Sequence, residues 1–176
     1  MMNNEHVPAR MDWAMLQDEI GAEDGHGGSD IAQRALEAII GDENIRTAVV
    51  VVLDWQPGSE VARSVLRSIH SLTATEMAYQ EYRTGNPDRA ISALGLIAHI
   101  SHLRALDWVE EFLSDDAAAV WGVNVLDQLI WSGAITLNDP QVAKLLALME
   151  SHHDERVREK ASYIREYMDD RDQRRR

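Results

Sequence analysis

The chain has 176 residues and a mass of 19.8 kDa, with 30 acidic residues against 17 basic ones, a formal net charge of -13 and a pI near 4.8. Its 45% hydrophobic and 27% charged residues are the composition of one folded domain with an ordinary surface. That acidity sets the field against phosphate backbones and anionic headgroups, so a nucleic acid or a membrane is not an expected partner, and a basic protein is.

Residues 1 to 28 read as an acidic, Gly-rich N-terminal segment, and within the first 44 residues ten carboxylates face only two arginines. A short helix is predicted over residues 11 to 20, with Trp13, Leu16 and Ile20 on one side, followed by a Gly-rich connection from Gly21 to Gly28. A helical domain then occupies residues 29 to 168. Ser29 and Asp30 cap a helix that stops at Gly41, Asp42 and Glu43 open the next, and Pro57-Gly58-Ser59 separates that one from a helix over residues 60 to 70. Further helices are predicted over 74 to 83, 87 to 100, 103 to 113, 116 to 131, 139 to 151 and 154 to 168. Pro57, Pro87 and Pro140 stand at helix starts, where a missing N–H leaves nothing unpaired. Val49 to Val52 would suit a strand, but Ile45 and Leu53 beside them continue a helical stripe. Residues 169 to 176 read as a solvated, charged tail, because Arg174, Arg175 and Arg176 follow Asp169, Asp170 and Asp172.

Four of these helices lie on one another in a common register. With Ile45, Ala90, Ala119 and Val157 as position zero, Val49, Leu94, Val123 and Ala161 stand four residues on, and Val52, Ile97, Leu126 and Ile164 seven on. All twelve places are apolar and share one helical face. Three residues on stand Ala48, Ala93, Gly122 and Lys160, three of them small enough to admit a closely packed neighbour.

In this pattern, an acidic turn between paired helices, the chain resembles the HEAT-like repeat proteins of the phycobilisome-lyase type. The resemblance is carried by Ala35 to Trp55, by Trp108 to Ile130 with Ser114-Asp115-Asp116 at the turn, and by Gln141 to Ile164 with Asp154-Glu155-Arg156-Val157-Arg158. It implies an all-α fold, a short right-handed α-solenoid of antiparallel helix pairs in which neighbouring repeats bury each other's faces. The helix over 60 to 70 is an addition to the two-helix unit.

In such a stack the second helices line the concave side, and positions two, five and nine of the register point away from the core. Asp54, His99, Asn124, Gln128, Glu159 and Glu166 fall there, making a polar and acidic ladder. Trp121 is expected to face outward beside the two amides, as an anchor of a protein interface; Trp131, near a helix end, either does the same or is covered by the helix over 103 to 113 or by residues 132 to 138. These eight residues are the expected partner-binding set.

No catalytic, cofactor or metal site is expected. Cysteine is absent, which removes thiolate chemistry and cysteine-ligated zinc. His99 and His102 are three apart but lack a third ligand in a recognised pattern. The pairs Glu110-Glu111, Asp115-Asp116 and Asp169-Asp170 diverge by about 100° on a helix, so they suit a solvated surface better than acid/base partnership. No phosphate loop, nucleophile elbow or dinucleotide fingerprint occurs, nor any apolar run of membrane-spanning length, and the expected address is the cytoplasm.

The leading expectation is therefore an acidic binding domain of the immunity type, which sequesters a cognate basic bacterial toxin. Small HEAT-like domains of that kind supply the analogy. The alternatives are an adaptor that joins two proteins, or a HEAT-like enzyme such as a DNA glycosylase or a phycobilin lyase. A glycosylase would need a cationic surface where this ladder offers carboxylates.

Overall fold

A computed structural model describes residues 11–22, 29–136 and 139–174, with side chains through Tyr167. The Gly-rich connection at 23 to 28 and Arg175 and Arg176 lie outside the described residues. The described residues form helices and turns only, in the order α1 (Trp13–Glu19), α2 (Ser29–Ile40), α3 (Asp42–Leu53), α4 (Ser59–Ser68), α5 (Leu72–Thr84), α6 (Pro87–Ile100), a 3₁₀ helix (Leu103–Trp108), α7 (Val109–Ser114), α8 (Ala119–Ser132), α9 (Pro140–Glu150) and α10 (Glu155–Arg174). The fold is all-α, and among the described residues no helix is long and apolar enough to cross a membrane.

Local chemistry sets most of the boundaries. Asp12, Ser71, Asn86 and Asp139 each accept a first-turn backbone N–H with the side chain and so start α1, α5, α6 and α9. Asp154 does the same for α10, accepting the Arg156 N–H at 2.8 Å and its guanidinium at 2.6 Å; these bonds hold the carboxyl at about 2. Pro87 and Pro140 occupy the first helical position, whereas Pro57 lies in the turn before α4, which Gly58 closes at φ 94°.

Packing follows the register. Eleven of its twelve apolar places are buried, and the twelfth, Ala90, is half-buried. α3 packs against α2, α4, α5 and α6; α6 packs between α5 and α8; α8 packs against α7 and α10; and α9 meets both α7 and α10. The expected close approach is realised at Gly122, where a Cβ would stand 2.7 Å from Phe112 Cβ of α7.

Three boundaries differ from expectation. The segment 103 to 113 is a 3₁₀ turn followed by α7, since its tighter pitch aligns Ala105 with Trp108 and Leu106 with Val109, all four buried. Trp108 there stacks on Tyr79 of α5 with ring centroids 4.0 Å apart. α8 begins at Ala119, because Asp115 rather than Asp116 organises the turn, accepting the Ala117 N–H with its side chain at 3.0 Å and the Ala119 N–H with its carbonyl at 2.8 Å. α10 runs on to Arg174, through most of the segment expected to be a tail.

Candidate functional site

α4 rests against both α3 and α6, and this placement alters the expected ladder. Asp54 is exposed but engaged: it pairs with Arg89 at the start of α6, whose Nε also reaches Glu81 of α5 at 2.6 Å. His99 is half-buried and faces α4. Burial lowers its basicity, and the nearby Arg67 and Arg63 lower it further against the opposing pull of Glu60. Trp121 corrects the expectation of an outward anchor. Gly95 leaves room on α6, so the indole packs there, partly buried against the core, 3.6 Å from where a Gly95 Cβ would stand. Asn124 is half-buried on the same helix.

Of the remaining four expected residues, Trp131, Glu159 and Glu166 lie on or against α10, and Gln128 lines a cleft beside Trp131. Trp131 is 50% exposed and stacks on Tyr167 with ring centroids 4.6 Å apart at 24°. Tyr163, 49% exposed, continues the stack at 6.4 Å from Tyr167. Glu159 and Glu166 are exposed on that same helix. Beneath the strip, half-buried Asp127 lies near Lys160; burial raises its carboxyl pKa, which the lysine partly offsets. A partly solvated aromatic strip edged by carboxylates can stack on, and pair with, a cationic side chain.

On its other side Trp131 borders a cleft of about 450 Å³, lined also by Arg67, His70, Ser101, Gln128 and Ser132. The cleft lies where α4, α6 and α8 end, and two of its residues hold left-handed backbone: His70 at φ 44° and Ser101 at φ 56°. Such conformations cost on the order of 1 kcal/mol for a residue with a Cβ. Ser101 Oγ donates to Ala98 O and Ser132 Oγ to Leu129 O, while among the described residues the side chains of Arg67, His70 and Gln128 make no hydrogen bond or ion pair.

Sequence reasoning missed Arg67 and His70, and with them the local sign of the charge. Arg63 and Arg67 are four residues apart on one face of α4, and His70 follows the end of that helix. Arg67 therefore brings a cation beside α6, while Glu159 and Glu166 lie exposed on α10, a helix with as many basic as acidic residues. It also missed a second cluster, in which Tyr79 donates to Glu111 at 2.5 Å and Tyr82 donates to Asp115 at 3.0 Å beside a cavity of about 350 Å³ floored by Ala90, Ile91 and Leu94. Glu111 and Asp115 are thus hydrogen-bonded to buried-side tyrosines rather than simply solvated. His102 is occupied at its Nδ1 by the Arg104 N–H, and among the described residues no three His, Asp or Glu side chains are grouped as a metal site requires. The chain matches no family model, no curated protein and no solved structure.

Proposed function

We propose that this chain is a short right-handed α-solenoid of HEAT-like helix pairs that binds a basic protein and blocks it, as an immunity-type inhibitor blocks its cognate bacterial toxin. The repeat reading is supported by contact order: α3 meets α6, α6 meets α8 and α8 meets α10, while on the first-helix side α5 meets the 3₁₀ segment and α7 meets α9. α4 is then an insertion after the first repeat, packed on the second helices of the first two.

The observation that carries the binding role is the stack Trp131–Tyr167–Tyr163 edged by Glu159 and Glu166, in a chain of net charge -13. Exposed rings held in a stack lose little freedom on binding, and carboxylates beside them select arginine and lysine. The long-range field accelerates encounter with a cationic partner, and the aromatic contact slows its release.

The test is a binding and inhibition assay with any basic protein that an adjacent gene is found to encode. Inhibition at equimolar ratio supports the reading, as does a fall in association rate of about tenfold or more for Glu159→Lys with Glu166→Lys at low salt. Binding without inhibition would favour an adaptor. Micromolar affinity for duplex DNA would overturn the reading in favour of a glycosylase-like enzyme.

A further inference from the structure

In this acidic chain most described cations are engaged. Arg63, Arg83, Arg89, Arg104, Lys144, Arg156 and Arg165 pair with carboxylates, and Arg34 and Arg158 donate to backbone carbonyls. Arg67 makes neither kind of contact among the described residues, and it lines the cleft together with His70, whose side chain is also without a hydrogen bond there. The carbonyl dipoles at the end of α4 account for one cation in its last turn. The left-handed backbone of His70 is the usual close of a helix, made here by the Ser71 N–H to Leu66 O bond at 3.1 Å; neither effect accounts for an imidazole without a hydrogen bond, an amide and an indole brought to the same void as Arg67.

We propose that this cleft is an oxyanion-binding site. The Arg67 guanidinium takes a carboxylate or phosphate group through its paired N–H donors, His70 and Gln128 add further donors, and the Trp131 ring covers the apolar or planar part of the ligand. At about 450 Å³ the cleft suits a group the size of an amino-acid side chain or a small metabolite fragment. The chain's net charge repels anions at long range, so affinity here depends on these close donors, and removal of one is felt strongly. The proposal deepens the reading above and rests on it only in the identity of the ligand's bearer: a partner that is basic overall would place one acidic side chain in this cleft, which would fix the docking register. A free phosphate compound is the other source of the same chemistry.

The experiment is an NMR titration of the full chain, without any partner, using N-acetylglutamate and inorganic phosphate as separate probes. The readouts are the Trp131 indole N–H, assigned through Trp131→Phe, and the Gln128 side-chain amide. Saturable shifts at both, weakened at least about tenfold by Arg67→Gln and unaffected by Arg46→Gln, are the expected result. Arg67 and Arg46 are both exposed, so neither change disturbs the core, and a far-UV spectrum checks this. Tighter binding of N-acetylglutamate identifies an acidic side chain as the occupant, and tighter binding of phosphate identifies a free anion. Absence of saturable shifts with both probes, or equal affinity in the two arginine variants, overturns the proposal. Oxyanion binding that persists when such an adjacently encoded basic protein is not inhibited would sink the inhibitor reading alone.

Discussion

Replacing Gly122 by alanine puts a methyl carbon 2.7 Å from Phe112 Cβ and 3.4 Å from Leu113 N. Carbon atoms in packed interiors stand about 3.5–4.0 Å apart, so α7 must move away from α8 by roughly 1 Å. Phe112 is fully buried, which leaves it no exposed direction in which to yield. Overpacking of this kind costs about 1–3 kcal/mol, and the gain in helix propensity from Gly to Ala returns about 1 kcal/mol, leaving a net loss of up to about 2 kcal/mol. For a domain of this size that is a Tm lower by up to about 8 °C. Gly95→Ala is the matched control. Its Cβ would meet only Trp121, at an ordinary 3.6 Å, so the propensity gain should survive and raise stability by about 0.5–1 kcal/mol. Urea denaturation of both variants checks the pair of signs. Stabilisation by Gly122→Ala, or equal destabilisation by both, would refute the packing of α7 on α8 described above.

Arg89→Ala should destabilise by about 1 kcal/mol, with the difference shrinking at high salt, because one guanidinium joins Asp54 after α3 and Glu81 of α5 to the start of α6. Tyr82→Phe should cost about 1 kcal/mol by removing the hydrogen bond to Asp115. Tyr79 and Tyr82 also fix an alkaline limit: burial first, and then their acidic neighbours, raise both phenols above the ordinary 10.0. Above that pH the unfolded chain has lost protons that the folded chain keeps, so stability is full below about pH 10 and falls as pH rises. Denaturation midpoints from pH 8 to 11 measure the slope, which Tyr82→Phe should flatten. Trp131→Ala should lower stability by no more than about 1 kcal/mol, since the ring is 50% exposed, while lengthening none of the residence times measured with a basic partner and shortening them.

The apolar register was legible because a helical period alone decides which side chains share a face. Its one half-buried place, Ala90, opens on the Tyr82 cavity rather than on a neighbouring helix. Glu159 and Glu166 are exposed for the same reason, whereas the exposure of Trp131, near a helix end, depended on what folds beside it. Trp121 did not, because exposure also depends on what the facing helix leaves vacant, and Gly95 leaves a slot of indole size. The cleft was the least legible feature. α4 lies outside the shared register of α3, α6, α8 and α10, so only its packing against α6 brings Arg67 and His70 to Gln128 and Trp131. The spacing of Arg67 with Arg63 was a readable basic pair, although the face that it would join depended on tertiary packing.

Among the helices described, α2 alone has no buried residue. It is held by the Glu37 carboxylate, which accepts the Ser71 hydroxyl and, at 3.1 Å, the Thr73 N–H at the start of α5, together with the partial burial of Ile40. Its attachment therefore rests on a few polar contacts, whereas α3 to α10 share one apolar interior. In terms of cooperativity, this predicts two thermodynamic tiers among the described helices rather than one. Amides of α2 should exchange with solvent through a low-energy undocking that leaves the tier from α3 onward intact, while those of α6 and α8 should exchange only with global unfolding.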